Sequence, residues 1–330
     1  MADADIKQLI QDNFGAAAHG YVIAPGFARG DDLQRLLELA HPQGDEQVLD
    51  IATGGGHTAL AFAPYVREVV ATDLTARMLE AAETYARAQG VPNVRFERAD
   101  AEDLPFPDAS FDIITTRIAP HHFPNPRRFV REVARVLRPG GRFLLDDNMA
   151  PEDSELDAFM NRSEKWRDPG HVRSYRVSEW CAWIEQAGLI IEAVEPLKFK
   201  KSDFMDWTAR IHMPEAERDA LEAWLLTAPP RCAAFFNIVV EDGRVRSLGR
   251  TYSIIVAQAP NVKRGVSSQK SGVRRQGCGI GDSRSAPSQQ RVRLALLHPV
   301  HAPQCPSINR GNLINPCNLC ALADVDVALP

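Results

Sequence analysis

Between residues 47 and 147 the chain switches five times between a short apolar run and a longer amphipathic stretch, and no other feature constrains its fold as tightly. "QVLDIA" (47–52), "EVVATD" (68–73), "VRFERAD" (94–100), "SFDIITTR" (110–117) and "RFLLDD" (142–147) have the length and residue types of buried strands. "HTALAFAPYV" (57–66) and "ARMLEAAETYARAQG" (76–90) read as helices, the second stopped by Gly90. "NPRRFVREVARVLRPGG" (125–141) reads as a helix capped by Asn125, with Pro126 at its first position and Pro139-Gly140-Gly141 as its end. Ahead of them, "DDLQRLLELA" (31–40) sets Leu33, Leu36, Leu37 and Ala40 on one helical face. This alternation predicts an α/β architecture, a mostly parallel sheet with helices on both faces.

Beyond residue 150 the rhythm changes. Helices are expected over 152–167 and 179–187, a strand over 189–194 and a helical insert over 203–226. "AFFNIVV" and "TYSIIVAQ" would close the sheet with an antiparallel strand. The N-terminal helix and residues 151–177 and 203–228 are the expected cap over the pocket.

Composition bounds the partners. The chain has 330 residues, 45% hydrophobic, with a net charge of −5. From Asn261 on there are nine Lys/Arg against three Asp, so residues 1–260 carry −11 and a polyanionic nucleic-acid partner is disfavoured. Residues 261–330 contain no Phe, Trp or Tyr and are expected to form a disordered basic tail outside the 1–260 domain. His298, His301, Cys305, Cys317 and Cys320 in that tail match no common zinc spacing, so no metal is expected. No apolar run reaches the ~20 residues of a membrane span. The acidic, polar N-terminus "MADADIKQLIQDNF" lacks a secretory pattern, and a cytoplasmic location is expected. Homodimer formation stays open.

The loop Asp50-x-Ala52-x-Gly54-x-Gly56 between strand one and the next helix suits a backbone that must approach a ligand closely. Asp73 ends strand two, 17 residues after Gly56, where a ribose-binding acid belongs. Both features fit NAD and S-adenosylmethionine alike. Asp100, at the end of strand three, can accept from an adenine amino group, and an acid at that strand end is expected for the second rather than the first.

"VLDIATGGG", "VVATDLTARML", "RADAEDLPFPDASFDIITTR" and "EVARVLRPGGRFLL" together resemble the class I S-adenosylmethionine-dependent methyltransferases, in particular the ubiquinone/menaquinone C-methyltransferase-like group. The resemblance runs from about Phe14 to Ala257. It implies a Rossmann-like, seven-stranded sheet with a helical cap, and S-adenosylmethionine as cofactor. It further implies that Asp50 and the backbone of Ala52, Gly54 and Gly56 hold the methionine portion, Asp73 the ribose hydroxyls, Leu74 the adenine face, and Asp100 with Ala101 the adenine amino group. Arg117 and Ile118 would border the reactive methyl, and Tyr21 would close over the cofactor or simply pack. Many relatives carry glycine where this chain has Ala52.

The acceptor face is expected in "RIAPHHF" (117–123), where His122 or His121 would titrate near neutrality and take the acceptor's proton, unless they only order the loop. Asp146, Asp147 and Asn148 would face the acceptor or stand as solvated charge. Arg173 or His171 would reach an acceptor carboxylate or carbonyl, or form a surface ion pair. The segment after strand four lacks the Asp/Asn-Pro-Pro-aromatic motif of nucleic-acid amino methyltransferases and the Pro-Cys of RNA cytosine enzymes. Only Cys181 and Cys232 lie in residues 1–260, too few for arsenic methylation. A small organic acceptor remains. Two other classes share the loop: a catalytically inactive cofactor-binding interaction protein, and a nicotinamide oxidoreductase.

Overall fold

In a computed structural model the described residues are 2–23 and 30–261. The expected tail lies outside them from residue 262 on. The side chain of Tyr21 also lies outside, although its backbone belongs to helix α1 (Asp3–Ile23).

Nine strands form one sheet: β1 (Gln47–Ile51), β2 (Glu68–Asp73), β3 (Val94–Arg98), β4 (Phe111–Arg117), β5 (Leu137–Asn148), β6 (Ile190–Val194), β7 (Lys198–Asp203), β8 (Val239–Glu241) and β9 (Arg244–Gln258). Seven run in the order β3-β2-β1-β4-β5-β9-β6, as expected of the fold, and β7 and β8 extend the sheet along β9. β1 to β5 are mutually parallel, and β9 runs antiparallel to β5, β6, β7 and β8. Strand order reverses between β1 and β4, which opens a crevice at their carboxyl ends.

Successive strand residues point to opposite faces, and both faces are buried. Leu49, Ile51, Val70, Ile114, Phe143 and Leu145 pack on one side with Phe129, Val133 and Trp180. Val48, Val69, Ala71, Ile113 and Leu144 pack on the other with Leu36, Ala40 and Phe62. The helices supplying these clusters are α2 (Asp31–Ala40), α3 (His57–Phe62), α5 (Pro126–Val136) and α7 (Val177–Gln186), while α4 (Ala76–Ala88) packs against β2 and β3. α6 (Ser154–Arg167), α8 (Phe204–Ala209), α9 (Glu215–Leu226) and α10 (Pro230–Phe235) gather around a third cluster, with Phe159, Phe204, Trp207, Leu221 and Phe236 against Val245 and Leu248 of β9. Caps fix the starts: the Asn125 side chain accepts from Arg128 N, Asp153 from Leu156 N and Asp203 from Asp206 N.

Two expected elements need correction, and one strand is unexpected. The helix from Asn125 ends at Val136, not at residue 141, and β5 begins at once. Arg138-Pro139-Gly140-Gly141 belongs to that strand where its register on β4 shifts between Phe111 and Ile113. Gly140 has φ +78°, and a Cβ on Gly141 would meet Asp112 O at 2.8 Å, so these glycines serve a bulge rather than a helix stop. "AFFNIVV" is mostly helix end and turn, with only Val239 onward in a strand, because Asn237 at φ +44° breaks the extended path. β7, "KFKKSD", is charged and was not expected as a strand; β9 is long enough to pair with it beyond β6.

Candidate active site

The crevice at the strand ends holds a cavity lined by Ala52 to Gly55, Asp73 to Thr75, Ala99 to Glu102, Arg117 to Ala119, and His122 to Pro124. Lys7, Ile10 and Phe14 of α1 lie against it from above. These three share one helical face at i, i+3 and i+7, a pattern legible in the sequence but not used.

The loop after β1 is shaped for close approach. Ala52 has φ +54° and Gly54 φ +55°. A Cβ on Gly54 would meet no atom within 4 Å, so the bare backbone faces open space. Ala52 holds a conformation that costs a non-glycine residue about 1–3 kcal/mol, which explains why glycine suits that position. Gly56, at φ +80°, does not line the cavity; a Cβ there would press on Ala82 at 3.3 Å, so it serves the turn and the packing of α4.

Asp50 is also absent from the cavity wall, and its expected cofactor contact is replaced by a supporting role. Its carboxylate accepts from Thr53 Oγ1 at 2.6 Å and Thr115 Oγ1 at 2.7 Å, tying the loop to β4. Burial pushes its pKa up to about 6.

Asp73 does line the cavity. One oxygen accepts from Gly54 N at 3.1 Å and the other from Thr75 N at 2.9 Å. Burial raises its pKa, and those backbone donors oppose the shift. A carboxylate offers about four acceptor positions, so two remain for a diol. Asp100 and Ala101 stand beside it at the adjoining strand end. Asp100 accepts from Glu102 N at 3.0 Å and from Lys7 Nζ at 2.7 Å. Lys7 also reaches Glu102 at 2.8 Å, and these bonds outweigh the effect of burial and hold its pKa above the ordinary value. The bare loop, the ribose-type acid and the second acid thus surround one space, and these two acceptors with the open backbone fit S-adenosylmethionine.

At the other end, Arg117 is engaged by Asp32 of α2, with Nη2 to Oδ2 at 2.7 Å, and lies 3.8 Å from Asp146. Asp32 was missed, although it stands on the face that α2 turns inward, four residues before Leu36. Ile118 follows at φ +53°, an outlier for a β-branched residue. Its amide is held by Asp146 O at 2.8 Å. Strain at a cavity wall is the kind that surrounding structure retains for function.

The two histidines depart from expectation. Both are buried, and burial pushes each pKa down to about 4, with His121 adding to the effect on His122. Neither titrates near neutrality. His121 Nδ1 lies 2.6 Å from Asp147 Oδ1, and Asp147 is itself pushed well above the usual carboxylate range by burial. His122 Nδ1 lies 3.0 Å from Gly170 O, and Phe14 packs edge-on against its ring at 4.9 Å. His122 reaches the main cavity, whereas His121 lines only a smaller neighbour.

Asp146 is buried behind Arg117 and lines neither space, so it does not face an acceptor; Asn148 lines the smaller cavity. Arg173 is likewise corrected: it pairs with Asp157 at 2.7 Å and with Glu179 at 3.5 Å, holding α6 to α7. His171 is buried and hydrogen-bonds Asn161 at 3.1 Å, also away from both cavities.

Comparisons with known proteins bear on this geometry. The profile of the methyltransferase domain matches residues 49–145, from β1 to β5. The uncharacterized methyltransferase YcgJ of Bacillus subtilis is 51% identical over 169 residues, covering 51% of this chain and 67% of the relative. The demethylmenaquinone methyltransferase of Deinococcus radiodurans is 38% identical over 150 residues, covering 43% of this chain and 61% of the relative. The crystal structure of Bacillus subtilis YcgJ superposes with a TM-score of 0.68 at 39% identity, covering 70% of this chain and 99% of that one.

Proposed function

The chain belongs to the class I S-adenosylmethionine-dependent methyltransferases, and on that premise we propose that it methylates a carbon, oxygen or nitrogen of a small organic acceptor. A quinone-precursor ring, a phenol and an amine of a secondary metabolite all suit such a site. The observation that carries the proposal is the meeting of Asp73, Asp100 and the bare loop at one cavity, with Ile118 and His122 at its far end.

S-adenosylmethionine, when bound, supplies both the methyl group and its own leaving group. The residues of this chain then have three tasks. Asp73, Asp100 and the Ala52–Gly55 backbone bind and orient. Phe14 and Ile10 on α1 exclude water from above. Ile118, His122 and Phe123 form the wall along which the acceptor aligns. Alignment of well-oriented reactants is worth about 7–11 kcal/mol. His122, uncharged at neutral pH, accepts a proton only weakly, so proton removal adds at the low end of the usual ~10²–10⁴-fold. This favours acceptors that ionise readily.

The test is transfer of labelled methyl from S-adenosylmethionine into fractionated small-molecule extracts, with mass analysis of the product. A product heavier than an extract component by one CH₂ is expected. Cofactor binding with no labelled product in any extract would point instead to the inactive interaction protein.

A further inference from the structure

The smaller cavity meets the main one at Phe14, Ile118 and His122, and its remaining wall is cationic. Arg167, Lys200, Arg210 and Arg250 line it together with Asn148, and Asp168 is its one carboxylate. The sheet makes this arrangement costly. β7 and β9 pair so that Lys200 lies directly opposite Arg250. Like charges at opposed positions of an antiparallel pair repel. Arg250 is only 9% exposed, and Lys200 is half-buried.

The acids nearby are shared among the cations of the wall. Glu164 lies 3.5 Å from Arg167 and 3.7 Å from Arg250, and Asp168 lies 3.5 Å from Arg167. Arg250 also donates to Ser202 Oγ at 2.9 Å and stacks over Trp207. Asp32 and Asp146 act on Lys200 only through space, and both already face Arg117. Among the described residues the Lys200 ammonium makes no hydrogen bond or ion pair. Burial, and then the charges of Arg117 and Arg250, bring its pKa below the usual lysine value. The buried histidines add no charge at neutral pH. Lys200 thus adds a charge with no ion-pair partner among the described residues to a wall whose Arg167 and Arg250 lean on Glu164 and Asp168.

We propose that this cavity anchors the acceptor: Lys200, Arg250 and Arg210 hold a carboxylate of an organic acid whose reacting atom then lies beside Ile118 and His122. The inference rests on the methyltransferase reading of the main cavity and names the acceptor's class. The space is about 60 Å³, suited to a carboxylate and its stem rather than a ring. It shares Phe14, Arg167 and Asp168 with a wider cleft of about 510 Å³ walled by Trp166, Ile211, Met213 and Pro214, which has room for the rest of the molecule.

The experiment is calorimetry in two stages. S-adenosylhomocysteine is titrated first; absence of binding would overturn the methyltransferase reading itself. The loaded protein is then titrated with benzoate, phenylacetate, cinnamate, decanoate and succinate, each against its amide, and with phenyl phosphate. At least one acid is expected to bind tenfold or more tighter than its amide. Lys200→Met should abolish that preference, leave S-adenosylhomocysteine affinity unchanged, and keep or raise Tm because a repulsion is removed. A purely structural lysine would lower Tm instead. Acids and amides that bind alike or not at all, or a preference that survives in both Lys200→Met and Arg210→Gln, would overturn the anchor. Phenyl phosphate binding more tightly than every carboxylate would overturn the choice of carboxylate.

Discussion

Replacing Asp73 with asparagine probes the ribose side of the cavity without emptying it. In the parent, Gly54 N and Thr75 N occupy one position on each carboxylate oxygen, leaving one on each for a ribose hydroxyl. A hydrogen bond to a charged group contributes about 1.5–3 kcal/mol. Asparagine keeps one acceptor oxygen and turns an NH₂ toward donors, so at least one such bond is lost. At about 1.4 kcal/mol per decade, the expected weakening is roughly 10- to 150-fold. Isothermal titration with S-adenosylhomocysteine measures it, with circular dichroism to check the fold. The raised pKa of Asp73 adds a second signature: parent affinity should begin to fall at a higher pH than an ordinary carboxylate would give. A dissociation constant unchanged within twofold, in a folded variant, would refute the assignment.

Other outcomes follow from the same contacts. Ala52→Gly relieves a positive φ and should raise stability by about 1 kcal/mol, or a few degrees in Tm, whereas Ala52→Val should lower it. Ile118→Gly should likewise relieve strain yet slow methyl transfer, read as a drop in kcat at unchanged cofactor affinity. For His122 the folded pKa of about 4 lies below the unfolded 6.5, so the unfolded chain takes up the proton first as pH falls. Its contribution is therefore lost between pH 6.5 and 4, by about 3 kcal/mol at most for a shift of this size. Asp50, Asp146 and Asp147 shift the opposite way, so the parent must be compared with His122→Asn by denaturant unfolding across that window. The variant should gain on the parent as pH falls.

The strand–helix rhythm was legible because β1, β2, β4 and β5 bury both faces and the helices between them bury one, so hydrophobic period and length follow the fold directly; the half-exposed β3 was legible from its place in the alternation. Asp73 and Asp100 were legible for a related reason: strand ends of a parallel sheet share one edge. The Pro139-Gly140-Gly141 misassignment arose because a bulge and a helix stop draw on the same residues. Asp50 looked like a ligand residue, yet its partners Thr53 and Thr115 come from different elements, and only the folded chain shows both its oxygens engaged. The cationic wall was invisible for the same reason. Lys200, Arg210 and Arg250 lie on β7, after α8 and on β9, and no local pattern joins them. His121 and His122 show the opposite failure: their position was expected, but their burial, which sets their pKa, depends on α1 and on the loop bearing Gly170.

The most direct test of the account is a crystal structure with S-adenosylhomocysteine. The account predicts ribose hydroxyls on Asp73, the adenine amino group at Asp100, and the sulfur toward Ile118. A ligand bound elsewhere, or a main cavity that stays closed to it with Asp73 and Asp100 turned to other partners, would contradict it.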